Sequence, residues 1–163
     1  MKLNKILIVI ILLFFIKGYS QKTIYSFKDT ISVKKAPIEI TKEIIKPNIL
    51  LYTGLFNYNK FKKIKFKKND EKWYVKIDKK WYLFFNNGEK VNLIFNFGKF
   101  KYSILWSKSQ LTSQNRQDVF ECRLQPIGVT MSAITIYYFT IEEGFIAIKS
   151  HDGFFVRNDI KIR

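Results

Sequence analysis

The stretch KWYVKIDKKWYLFFNNGEKVNLIFNF, residues 72–97, decides the fold. Trp73, Val75 and Ile77 alternate with Tyr74, Lys76 and Asp78, which is the period of a half-buried strand. Trp81, Leu83 and Phe85 repeat the pattern. A three-residue loop at Asp78-Lys79-Lys80 would set Ile77 opposite Trp81, Val75 opposite Leu83 and Trp73 opposite Phe85. One face then carries these six apolar side chains, and Tyr74, Lys76, Tyr82 and Phe84 lie on the other. Large cross-strand pairs of this kind stabilise a hairpin by roughly 0.2–1 kcal/mol each.

The next turn is ambiguous. Asn87-Gly88 favours a two-residue type I′ hairpin, because both residues tolerate positive φ. That loop pairs Phe84 with Val91 and Tyr82 with Leu93, whereas a three-residue loop, Asn87-Gly88-Glu89, pairs Phe85 with Val91 and Leu83 with Leu93. One extra residue flips every side chain. The sequence therefore offers a bulge near Asn86, which is the expected solution, or a sheet covered on both faces.

Residues 81–100, WYLFFNNGEKVNLIFNFGKF, resemble the W-x-x-aromatic-x-N-G-[KE] … N-x-G-K rhythm of variant MORN hairpin repeats over about a unit and a half. The resemblance implies an extended sheet serving as a scaffold, without catalytic residues. Lys80-Trp81-Tyr82 is similar to the hairpins of cell-wall choline-binding modules, which need many stacked copies to form their cage.

Working outward, short aromatic strands are expected at 100–106, 119–124, 131–139, 145–149 and 154–157, with His151-Asp152-Gly153 as a hairpin turn driven by Asp-Gly. Residues 107–118 (SKSQLTSQNRQD), polar and glycine-free, read as a long contact loop. Towards the N-terminus, 49–56 reads as a strand interrupted at Gly54. The isoleucines of 38–45 fit either a strand or one to two helical turns between Pro37 and Pro47. The expected architecture is all-β: a single antiparallel meander of about nine strands, closed as a barrel or packed as a sandwich, at 60–163, with 21–59 an extended segment partly packed on it.

Residues 1–20 read as a signal peptide: Lys2 and Lys5, an apolar run over 6–16, and Gly18-Tyr19-Ser20 before Gln21. Export to the periplasm, cell surface or beyond is the expectation, with membrane contact only during export. Of the 163 residues, cleavage removes three of 29 basic and none of 13 acidic ones, leaving a charge of +13. Scarce alanine, proline and arginine beside abundant lysine, isoleucine, phenylalanine and asparagine is the bias of an AT-rich genome, so part of this charge is compositional. It attracts anionic polymers in either case. Cys122, the single cysteine, excludes an internal disulfide, and its alternation with Phe120 and Leu124 predicts a buried apolar role.

The sharpest charge feature is KFKKIKFKK, residues 60–68. On a strand, Ile64 and Phe66 point inward while Lys63, Lys65 and Lys67 project outward every ~7 Å, a ladder able to track the phosphates or sulphates of a polymer. The same pattern serves as a solvated face, or as an edge strand guarded against aggregation. With Tyr74, Lys76 and Tyr82 on the outer face of the next hairpin, lysines would alternate with aromatic platforms.

Catalytic and metal signatures are thin. One histidine and one cysteine cannot build a zinc ribbon or a three-histidine site, and no P-loop, EF-hand or dinucleotide fingerprint occurs. His151-Asp152 with Ser150 or Ser132 superficially suggests a triad, but Asp-Gly turn chemistry accounts for the pair. Glu142-Glu143 falls in an expected turn. The sequence thus favours a non-catalytic exported module without cofactor, metal or specific nucleic-acid target. Its partner would be an anionic or amphipathic envelope component or another envelope protein. The alternatives are a lipocalin-like carrier of a small apolar ligand and a small secreted hydrolase or toxin.

Overall fold

The computed structural model describes residues 21–31, 36–55, 63–87, 91–97, 100–113, 117–128 and 134–162. The expected signal peptide, residues 60–62 of the lysine run, Gly88-Glu89 of the Asn-Gly turn, and Ser132 lie outside them. Among the described residues every regular element is a strand: β1 Gln21–Asp29, β2 Ile38–Lys46, β3 Ile49–Thr53, β4 Lys63–Asn69, β5 Lys72–Ile77, β6 Lys80–Asn86, β7 Leu93–Phe97, β8 Phe100–Thr112, β9 Asp118–Ile127, β10 Thr135–Thr140, β11 Gly144–Ser150 and β12 Gly153–Arg157.

All twelve belong to one antiparallel sheet in the order β6-β5-β4-β3-β2-β1-β12-β11-β10-β9-β8-β7, curled into a nearly closed barrel. The expected count of about nine falls short. The structure assigns the ambiguous 38–45 to β2, and 21–29, which had no strand signal, to β1 at the centre of the sheet, laddered to β12 through Phe27↔Arg157 and Asp29↔Phe155. The barrel is open where β6 and β7 form the two sheet edges. The expected pairing of Phe84 or Phe85 with Val91 is replaced: β6 ladders to β5, and β7 to β8 with Leu93 opposite Ile104.

The register of the central hairpin also differs. Asp78 and Lys79 take φ of 46° and 69°, a two-residue turn of the I′ type, so Ile77 faces Lys80, Lys76 faces Trp81 and Val75 faces Tyr82. A bulge at Phe84 then returns Phe85 to Trp73. Both Phe84 and Phe85 are thereby buried, Tyr82 turns inward against the core, and Trp81 turns outward. Residues 107–118 are no loop at their ends: β8 continues to Thr112 and β9 starts at Asp118, with Ser107 opposite Glu121.

The interior is packed with rings. Trp73 meets Phe139 at 4.9 Å between centroids, Phe85 meets Phe120 at 4.8 Å, and Phe66 meets Phe84 at 5.0 Å, all edge-to-face, the arrangement their quadrupoles favour. Cys122 lies fully buried among them as a free thiol, and burial raises its pKa. A second, smaller cluster covers the outer face of β10–β12, where a bulge lets consecutive Ile146 and Ala147 face out to meet Val119, Tyr138 and Ile160 of the C-terminal tail. Elsewhere the outer wall is polar while the inside is apolar. That is the reverse of a membrane-spanning barrel, whose apolar band faces outward.

Candidate functional site

The most distinctive surface is the outer wall of β4–β6. These three strands carry seven lysines and no acidic residue. Alternation on β4 buries Ile64 and Phe66 and leaves Lys63 and Lys65 exposed and Lys67 half-buried. Next to them, β5 presents Tyr74 and Lys76, and β6 presents Trp81. The Lys67 ammonium sits 4.9 Å from the Tyr74 ring centroid and 5.5 Å from that of Trp81, and Lys76 approaches the other lysine-bearing ring, Trp81, at 5.7 Å. Each such contact is worth about 0.5–1 kcal/mol at an exposed site, enough to narrow the rotamers of long flexible side chains.

Of the residues the sequence nominated, the structure brings Lys63, Lys65, Lys67, Tyr74 and Lys76 onto one face. Tyr82 is not among them, because the two-residue turn moves it inward. Trp81, expected in the core, replaces it. The signal that could have found it is Lys80: a lysine beside the turn pairs more comfortably with the turn-end Ile77 than a tryptophan would need to. β4 is also an internal strand, laddered to both β3 and β5, so its lysines guard no edge.

The barrel's two ends differ. At the end holding the β10–β11 turn, buried Arg157 donates to Glu143 Oε2 at 2.7 Å and to Asp159 at 2.6 and 3.1 Å, and it stacks 4.3 Å from the Tyr25 ring centroid. Desolvation lowers its affinity for a proton, but the hydrogen bonds to Asp159 and Glu143 outweigh this and raise its pKa, keeping it charged. Lys42, opposite the inward Tyr52, reaches the same end. Burial, and then repulsion from Arg157, hold its pKa below the usual lysine value. Tyr52 Oη and Trp73 Nε1 are buried here without a hydrogen-bond partner among the described residues.

At the opposite end a cavity of about 370 Å³ opens between the inward residues Ile38, Tyr137, Ile148 and Phe155, with Leu55 as part of its wall and Ser150, His151 and Asp152 at its rim. His151 Nε2 is 3.3 Å from Asp152 Oδ1, with both side chains more than half exposed at 69% and 63%. Ser150 Oγ accepts the Asp152 backbone N–H at 3.2 Å, and no Ser–His hydrogen bond occurs among the described residues. A nucleophile, its base and an orienting acid in series are therefore not assembled here. Glu142 and Glu143 are separately engaged, by Gln117 and Arg157. No group of three or more metal-ligating side chains occurs among the described residues.

Comparison with protein-family models, with curated proteins and with solved structures finds no match.

Proposed function

We propose that this chain is a non-catalytic exported β-barrel that binds an anionic envelope polymer through the outer wall of β4–β6. The observation that carries the reading is the acid-free lysine ladder Lys63, Lys65 and Lys67 on an internal strand, continued sideways into Tyr74, Lys76 and Trp81. Phosphate or sulphate groups would lie along the ladder by charge attraction, and the repeat units between them would rest on the exposed Trp81 and Tyr74 ring edges. Lys67 and Lys76, already leaning on those rings, would lose little freedom on contact. No bond is made or broken.

The test is a salt titration of binding by residues 21–163 to a purified anionic envelope polymer and to a neutral glycan. Replacement of Lys63, Lys65 and Lys67 by Gln should lower the slope of log affinity against log salt by about 2–3, and Trp81→Ala should weaken binding at every salt concentration. Weak binding to every polyanion alike, unmoved by either change, would mark the charge as compositional and end the proposal.

A further inference from the structure

We infer that the cavity at the β11–β12 turn is a second binding site, for a small cationic amphiphile: a compact apolar group seated on Leu55, Ile148 and Phe155, with a protonated amine held at the rim by Asp152.

The cavity exists because the inward side chains stop being large here. The aromatic packing of the middle of the barrel runs through Phe145 and Phe139. One turn along β11 the inward residue is Ile148, opposite Phe155 on β12. Gly54, at φ 81°, bends the chain after β3 and brings Leu55 in to form a wall, itself only 2% exposed. The space left, about 370 Å³, falls within the range of small-ligand pockets and equals the liquid volume of roughly a dozen waters. Its wall offers apolar surface, which water leaves readily, and its polar groups are confined to the mouth.

Charge selects the head group. On a strongly basic protein, the one ionised side chain lining this mouth at neutral pH is a carboxylate, Asp152. A second carboxylate lies against the same turn. Asp29, opposite Phe155, packs so close to Gly153 that a methyl group there would come 2.8 Å from its Oδ2, an oxygen buried with no hydrogen-bond partner among the described residues. Two negative charges beside the opening favour an amine and disfavour a fatty-acid carboxylate. Ser150 Oγ, at the rim, can accept a further N–H. This site lies at one end of the barrel and shares no residue with the lysine wall, so either can fail without the other.

Two probes of equal apolar size decide the matter: phenylbutylamine and phenylbutyrate, titrated into the purified chain by calorimetry, with Ile148 methyl shifts as a locator. The amine should bind at least tenfold more tightly than the carboxylate and shift Ile148. Asp152→Asn, at an exposed position, should erase that preference by weakening the amine about tenfold. Ala36→Trp, also exposed, should plug the mouth and abolish both, with near-UV circular dichroism confirming an intact core. Equal binding of the two probes, amine binding indifferent to Asp152→Asn, or no binding of either would overturn the inference.

Discussion

The indole N–H of Trp106 donates to the carbonyl oxygen of Phe84 at 2.5 Å, tying β8 to β6 across the one place where the sheet has no ladder. The Trp106 ring also packs on Phe84 and Phe85 at 5.1 and 4.9 Å. Trp106→Phe keeps a ring but leaves a partly buried carbonyl unpaired. Chemical denaturation should show a loss of about 1–3 kcal/mol, with faster amide exchange concentrated in β6 and β7. A uniform change across the sheet would mean that this bond does not hold the opening together.

Arg157 is held by two carboxylates and a ring, so replacing it with Met should destabilise the fold by about 3–5 kcal/mol, because Glu143 and Asp159 lose their shared partner. Arg157→Lys should recover only part of this, since an ammonium cannot make the bidentate contact with Asp159.

Lys42 acts in the opposite sense. Its pKa is depressed in the fold, chiefly by burial, so between that value and the unfolded lysine value the unfolded chain binds more protons. Stability from this group therefore rises with pH across that window, and at neutral pH its charge costs stability. Lys42→Met should raise stability near pH 7 by about 0.5–1 kcal/mol, a modest gain because the head group keeps water contact. The advantage should shrink as pH climbs toward 10. A gain that is constant with pH would refute the electrostatic origin.

Gly144 has a φ of 76°, and a methyl group there would meet Tyr52 Oη at 2.6 Å. Gly144→Ala should cost about 1–3 kcal/mol. Tyr52→Phe removes both the obstructing oxygen and a buried hydroxyl without a hydrogen-bond partner among the described residues. In a double-mutant cycle the alanine should be less costly in that background by about 0.5–1 kcal/mol; strict additivity would show that backbone strain alone is at work.

Cys122 should be silent to thiol reagents in the native state at pH 8 and react fully once guanidinium unfolds the chain, since the thiol is buried and its pKa raised. Reaction without unfolding would place it in a locally opening part of β9.

The sequence was legible where side-chain alternation is backed by sharp contrast. On β4 lysine and apolar residues alternate without exception from Lys63 to Lys67, and the inward and outward faces follow. On β6 no such contrast exists: Trp81, Tyr82, Leu83, Phe84 and Phe85 are all large and apolar, so the face depends on the turn. That turn is of the I′ type without glycine, built on Asp78 and Lys79, and the bulge at Phe84 hides the slip by restoring Trp73 to Phe85. The extension of β8 was hidden for another reason. Its far half packs outward, where Leu111 is the lone apolar contact with the second cluster. The seam between β6 and β7 was illegible because Asn87-Gly88 encodes a reversal of direction, not the ladder that usually accompanies one.

Because β1 and β12 are antiparallel, with Phe27 beside Arg157 and Asp29 beside Phe155, the chain enters β1 and leaves β12 at the same end of the barrel. Tension drawn through both ends would load the rungs between them singly, from the Arg157 side, in peeling geometry instead of shear. Those rungs join the two six-stranded halves, β1–β6 and β7–β12. Mechanically the molecule is a pair of leaves hinged by its aromatic core, strong against a pull on one strand and weak against a pull on its ends.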